Sequence, residues 1–181
     1  MTDNTFSSGE IRLEPVGIVK NDTKQPPLVA GADGLHLNAA CNAAVETMGS
    51  VQEQVSEIVL LDRLLELLEG IDAYSHLVIL YWGHAVPPHG RSLTKTHPAG
   101  LANYPKQGIY ATCSPARPNP VLIKVVRLVR REGTRLFVEG LDAIDGSPVL
   151  DIKPYVADMY PQENIRIPLW MAEIQKEFAR R

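Results

Sequence analysis

Between Ser114 and Pro120 the chain reads S-P-A-R-P-N-P, and no other stretch restricts the fold as tightly. Pro115, Pro118 and Pro120 each fix φ and remove a backbone donor, so this segment can be neither a helix nor an interior strand. The spacing predicts a stiff, extended loop between residues 108–113 and 121–129, both rich in strand-forming residues. A rigid loop of that kind holds Arg117 and Asn119 in fixed positions, which suits them to binding.

Strand signals dominate the rest of the chain. Residues 11–20 alternate apolar side chains around a break at Pro15 and read as a first strand. Residues 21–34 contain Pro26, Pro27, Gly31 and Gly34 and read as a loop. The alanine-rich residues 35–50 have no clean periodicity and no assigned role. Residues 55–61 read as a strand, after which Asp62 is placed to cap a short helix. Leu64, Leu65, Leu68 and Ile71 give that helix a core-facing stripe, and Gly70 marks its end.

Residues 75–82 form an apolar, β-branched and aromatic run, a buried strand that delivers His84 into the loop G-H-A-V-P-P-H-G. Residues 91–107 read as a long polar loop, of the sort that often edges a binding site. Residues 134–140 are expected to pair back on 121–131 through Glu132-Gly133, and Asp145-Gly146 is a turn before a last strand at 149–152. Trp170, Ile174 and Phe178 recur every four residues, so about 166–181 form an amphipathic C-terminal helix that closes the barrel or a dimer seam. Its Glu173 and Glu177 would repel anionic lipid. Strands outnumber helices. The expected fold is mainly β, a mostly antiparallel β-barrel with a few peripheral helices, in a single domain over residues 1–181.

Composition narrows the partners. No apolar run is long enough to cross a bilayer, and the N-terminus lacks a basic-then-apolar signal pattern. Two cysteines, Cys41 and Cys113, make no disulfide framework, which suits a reducing cytoplasm. His84, His89, His97 and Cys113 match no standard zinc spacing, so no metal site is expected. The 18 lysines and arginines are outnumbered by 21 acidic residues, whereas proteins that live on RNA phosphates usually show a basic face. The clearest basic cluster is Lys124, Arg127, Arg130, Arg131 and Arg135. Strict alternation puts Lys124 and Arg130 on one face of the strand, with Arg127 and Arg131 on the other.

A-T-C-S-P-A-R-P-N-P followed by D-G-S-P-V-L-D-I-K-P-Y resembles the signature of the TsaA/TrmO-like family. V-G-I-V-K at Val16–Lys20, Lys24-Gln25-Pro26 and Y-S-H-L-V-I-L-Y-W at Tyr74–Trp82 fall in the same order, so the resemblance covers roughly residues 13 to 156. It implies a small β-barrel that binds S-adenosyl-L-methionine as a homodimer. The family's best-known members methylate N6 of an adenine beside the tRNA anticodon. It further implies a cofactor site built from Lys24, Gln25, Pro26, His84, Ala85, Cys113, Leu122, Leu141, Asp142, Ala143, Ile144 and Asp145. Arg117, Asn119 and Lys124 are the candidates for holding the acceptor.

The residue types suit that chemistry. A sulfonium methyl group is already activated, so the protein needs chiefly to align donor and acceptor. Asp142 and Asp145 can accept hydrogen bonds from ribose hydroxyls or an ammonium group, and turn amides can meet a carboxylate. An exocyclic adenine amine must lose a proton on methylation, and Asp145 is the candidate catalytic acceptor. By the same motif, D-A-I-D-G is also a turn that aspartate side chains stabilise without any ligand.

Three departures separate this chain from the family pattern. Cys113 stands where an arginine is usual, Leu122 where a glycine is, and Lys124 where a serine is. The sequence also ends soon after Tyr155, so the further small domain of tRNA-modifying members is expected to be missing. Three readings follow: a methyltransferase on tRNA or on a smaller acceptor, a non-catalytic S-adenosylmethionine-binding module, and a barrel that has exchanged the cofactor for another ligand.

Overall fold

The computed structural model describes residues 9–31, 34–38 and 54–179. Six strands close into an antiparallel barrel: β1 (Gly17–Lys20), β4 (Val55–Leu60), β5 (His76–Trp82), β8 (Val121–Glu132), β9 (Arg135–Glu139) and β10 (Pro148–Pro154). Their order around the barrel is β1-β10-β5-β8-β9-β4, and β4 pairs with β1 to close it. Alternation sets the interior: Leu77, Ile79 and Tyr81 of β5 face Val126 of β8, with Ile58, Leu136, Val138 and Val149 completing a solvent-free core. Closure needs a close approach at Gly17, where a Cβ would lie 2.4 Å from the Val59 carbonyl oxygen.

Two small sheets lie outside the barrel. β2 (Leu28–Gly31) pairs with β3 (Gly34–Leu37), and β6 (Lys95–Thr96) pairs with β7 (Gln107–Gly108). The expected loop at 21–34 thus contains a strand, because Leu28–Gly31 has a partner in the next apolar run. The unassigned 35–50 stretch begins with β3, where Leu35 is buried and donates its amide to Thr96 Oγ1 at 3.0 Å; residues 39–50 lie outside the described residues.

Other expectations change in extent. The first strand is confined to Gly17–Lys20, since Ile11 and Leu13 are exposed and find no sheet to join. Residues 108–113 are not a strand: after two ladder residues the chain makes a 3-10 turn at Ile109–Ala111, held where Thr112 Oγ1 donates to the Ile109 carbonyl. Asp62 does not cap its helix. Leu61 occupies that place with no side-chain bond, the segment Asp62–Leu68 is 3-10, and Asp62 accepts from Thr134 Oγ1 at 3.3 Å. Gly70 does end it, at φ 81°.

A bulge in β8 reverses the expected faces of the basic cluster. The register with β9 slips between Leu128 and Arg130, so Arg130 joins Arg127 on the outer face while Arg131 turns to the barrel side. Arg127 pairs with Glu139 at 2.6 Å, and Arg130 stacks on Phe137. The C-terminal helix runs Leu169–Ala179, with Ile174 buried and Trp170 and Met171 half-buried.

Candidate functional site

Antiparallel pairing sends the ends of β1, β5 and β9 and the starts of β4, β8 and β10 to one end of the barrel. The loops that leave there, 21–27, 83–87, 112–120 and 140–147, hold every candidate residue except Leu122 and Lys124, which lie at the start of β8. None sits at the other end.

The 140–147 segment is anchored from inside. Leu141 and Ala143 are buried in the core, so of the five residues 141–145 only Asp142, Ile144 and Asp145 offer side chains outward. Gly146, at φ 76°, makes the turn that brings Ser147 back toward the barrel, where Ser147 N donates to the Ile144 carbonyl.

Asp142 is held by two groups that come from different strands. Tyr81 Oη donates to it at 2.7 Å, and Lys124 Nζ lies 3.3 Å away. Burial, then the neighbouring carboxylate, push the Tyr81 phenol far up, so it stays a protonated donor. Even numbering before the β8 bulge keeps Lys124 and Leu122 on the barrel side, which is how Lys124 reaches Asp142 from the strand that follows the proline loop.

Asp145 is held differently. Lys24 Nζ lies 2.9 Å from one oxygen and Asn21 N donates to the other at 3.1 Å. The lysine first, then the amide, hold this carboxyl below its ordinary range. Asn21 also donates to the Ala143 carbonyl at 2.8 Å and to Ser56 Oγ at 3.1 Å, which clips the β1 loop to the aspartate turn. Gln25 and Pro26 lie in that same loop, both bound by Asn38 Nδ2.

His84 follows β5 in a turn with Ala85, both exposed; its Nδ1 faces Ser147 Oγ at 3.3 Å. The histidines do not converge on one point: His89 Nε2 meets the Ala30 carbonyl and His97 Nδ1 the Tyr104 carbonyl. Among the described residues no group of three or more His, Cys, Asp or Glu could hold a metal ion.

The proline loop is braced by its own residues. Arg117 donates through Nε to the Ser114 carbonyl at 2.8 Å and through Nη2 to the Thr112 carbonyl at 2.7 Å. Thr112 Oγ1 and Ser114 Oγ accept the amides of Ser114 and Ala116. The Arg117 guanidinium therefore spends these donors on the loop that carries it. Pro120 ties the loop to β5 by accepting from Gly83 N at 2.8 Å. Cys113 is an exposed free thiol, and Asn119 is exposed with its carbonyl accepting from Val121 N. Among the described residues no hydrogen bond or ion pair joins Cys113, Arg117 or Asn119 to 141–145. The contact with the aspartate turn comes instead from Lys124, in the strand that follows the proline loop.

Residue-type reasoning missed Tyr81, Asn21 and Ser147. The signal for Tyr81 was present, since a tyrosine inside a buried strand must find a partner for its hydroxyl. Asn21 and Ser147 carry none beyond their places beside a strand and a turn.

With this geometry in view, comparison with known proteins is informative. A "Probable S-adenosyl-L-methionine-binding protein" of Methanothermobacter thermautotrophicus is 35% identical over 154 residues, 85% of this chain and 96% of that one. The mouse tRNA (adenine(37)-N6)-methyltransferase is 39% identical over 100 residues, 55% of this chain but only 23% of the enzyme. The crystal structure of TrmO from P. aeruginosa superposes with TM-score 0.64 at 27% identity, covering 92% of this chain and 64% of that one. This chain thus spans less than two thirds of the solved TrmO. Residues 42–160 match the family described as tRNA-methyltransferase O N-terminal domain, and the chain belongs to that family.

Proposed function

We propose that the loop end of this barrel binds S-adenosylmethionine and transfers its methyl group to an adenine amine, with tRNA as the acceptor class. The observation that carries the reading is the arrival of Lys24, His84, Leu122, Lys124, Asp142 and Asp145 at one barrel end from four separate segments. Relatives named as S-adenosylmethionine-binding proteins and tRNA methyltransferases support it.

The residues present fit such a cofactor. Two carboxylates project from a turn whose alternate side chains are locked in the core, so a ligand meets preset acceptors. A carboxylate engaged by one cation keeps lone pairs for ribose hydroxyls or an ammonium group. Leu122 and Ile144, both half-buried, offer apolar surface for an adenine ring. The cofactor, when bound, supplies an activated methyl group. What the chain adds is orientation: Tyr81 and Lys124 fix Asp142, Lys24 and Asn21 fix Asp145, and Ser147 steers His84.

Asp145 remains the proposed proton acceptor. Its depressed proton affinity suffices, because a methylated amine nitrogen is strongly acidic before it loses its proton. As further parts of the reading, the protein works in the cytoplasm as a homodimer.

Calorimetry with S-adenosylmethionine tests the first step, and formation of S-adenosylhomocysteine with unmodified tRNA tests the second. Binding with turnover is expected. Binding without turnover for every acceptor favours the non-catalytic module, and no binding removes the reading.

A further inference from the structure

The lysines and arginine already placed at the site end are engaged. Lys24 meets Asp145, Lys124 meets Asp142, and Arg117 donates to the carbonyls of its own loop. Lys20, exposed at the end of β1, acts on Asp145 through its charge. Arg91 is different. Among the described residues it has neither a hydrogen bond nor an ion pair, and its buried Nε donates to nothing. Its own segment supplies no acid, since no Asp or Glu occurs from residue 73 to residue 131. We propose that Arg91 is a carboxylate-binding residue of this site and takes the amino-acid carboxylate of S-adenosylmethionine. This role rests on the reading that the cofactor binds at this barrel end, and it adds a residue that lies outside every signature motif.

Packing puts Arg91 beside the site. The helical turn Pro88–Arg91 follows the His84 loop and is seated on the barrel end through Val86. A Cβ at Gly83 would lie 3.3 Å from Val86 Cγ2, 3.3 Å from Pro120 Cβ and 3.4 Å from Leu122 Cδ1. Val86 therefore packs into the corner that Pro120 and Leu122 make around the start of β8. On the other side, a Cβ at Gly90 would lie 3.2 Å from Val86 Cγ1 and 2.8 Å from Ala30 Cβ, so the turn is pressed between Val86 and β2. Arg91, the next residue, extends its guanidinium 5.4 Å over the Trp82 ring. Trp82 is the last residue of β5, opposite Val121 across the ladder and just before Gly83 and His84.

A guanidinium stacked on an indole gives the ring its face and keeps its in-plane donors. Such a fork fits a planar oxyanion met edge-on. A buried donor left without a partner destabilises the fold, and a group of that kind calls for a ligand or an ion to complete it.

The second observation concerns the amides. The aspartate turn could have met a carboxylate with its backbone, but Asp145 N donates to the Thr23 carbonyl, Gly146 N to Val19 and Ser147 N to Ile144. Those three amides are not left for an anion. Of the groups the cofactor carries, the sulfonium and the ammonium are repelled by Arg91 and suit Asp142 and Asp145, as the ribose hydroxyls do. Only the carboxylate calls for a cation that no acid has matched.

Calorimetry on the full chain compares S-adenosylmethionine with its decarboxylated form, which keeps the sulfonium, ammonium, ribose and adenine. The wild type is expected to bind the parent compound about 10- to 150-fold more tightly, the range of a hydrogen bond to a charged group. Arg91→Ala should erase that margin and leave affinity for the decarboxylated form unchanged, which also shows that the variant has folded. Arg91→Lys keeps the charge without the fork and should retain part of the margin. Equal affinity of the wild type for the two compounds overturns the role of Arg91, as does a full margin in Arg91→Ala. An equal loss of both compounds in the two variants also overturns it, and would make Arg91 a packing partner of Trp82. Binding of neither compound by the wild type is a separate result, which removes the cofactor reading and this role with it.

Discussion

The two ends of the barrel are built from the same six strands and differ in what their loops are asked to do. At the end away from the site, the chain turns through Glu132-Gly133 and the 3-10 segments that join β4 to β5. Arg131 holds this end shut, donating to the carbonyls of Leu68 and Gly133 and meeting Asp72 at 3.2 Å. Donors and acceptors there satisfy one another. At the site end the same kinds of groups are held by one or two partners on other segments: Asp142 by Tyr81 and Lys124, Asp145 by Lys24 and the Asn21 amide, His84 by Ser147. Each leaves part of its capacity for a ligand. The difference is one of spare valence rather than of composition, and loops carried on a rigid sheet are where such spare valence is tolerated.

The largest blow to the comparison should come from beneath the site. Leu141 is only 2% exposed and fixes the aspartate turn to the core, so Leu141→Ala should cost about 2–5 kcal/mol of stability. Cofactor affinity should fall with it, because Asp142 loses its anchor. Denaturant unfolding together with calorimetry reads both. A variant that loses stability but binds normally would mean that the turn does not depend on its core residue for its shape.

A matched pair separates the ends. Arg131→Ala strands the Leu68 carbonyl and should cost roughly 1–2 kcal/mol of stability while leaving cofactor affinity alone. Asp142→Ala should lower affinity tenfold or more, and because it strands the buried Tyr81 hydroxyl it should also cost about 1–3 kcal/mol of stability. If Arg131→Ala lowers affinity as well, the ends are not independent and the contrast fails.

Tyr81→Phe sharpens the contrast further. It deletes one hydroxyl and keeps the ring that packs in the core, so stability should drop by about 1 kcal/mol. Asp142 then rests on Lys124 alone, and affinity should fall less than in Asp142→Ala. Equal losses in the two would assign the whole effect of Asp142 to its orientation by the tyrosine.

How far this was legible beforehand depended on the reach of each signal. The runs of strand-forming residues at 75–82 and 121–129 sufficed for β5 and β8, and a loop rigid enough to need three prolines was bound to stand outside the sheet. Lys24 and Asp145 were named by motif, yet nothing in residue types reveals that they bind each other across more than a hundred positions. The β2–β3 hairpin was hidden because Pro26, Pro27 and Gly31 outweigh four-residue apolar runs in any local count. The faces of the β8 arginines went wrong for a different reason: a bulge changes parity, and it comes from pairing with β9 rather than from β8 itself. Net charge said least about the site, because a sum over the whole chain does not report where its acids and bases stand.

The smallest expected effect tests the least protected contact at the site end. The Asp145 carboxyl is held below its ordinary range by Lys24 and by the Asn21 amide, so its ionised form is favoured more in the folded than in the unfolded chain. A depressed carboxyl contributes stability above its unfolded value, about 3.9, and that contribution is lost as pH falls through the lower folded value. Acid titration of the wild type should therefore carry an extra loss below about pH 4 that Asp145→Asn lacks, with the two proteins alike at neutral pH apart from the missing ion pair. Lys24 is largely exposed, so the difference should shrink as salt rises toward 1 M, where screening acts over about 3 Å. Superimposable acid limbs for the two proteins at low salt would mean that Lys24 does not hold Asp145 in solution, and the spare valence assigned to that carboxylate would then be the whole of it.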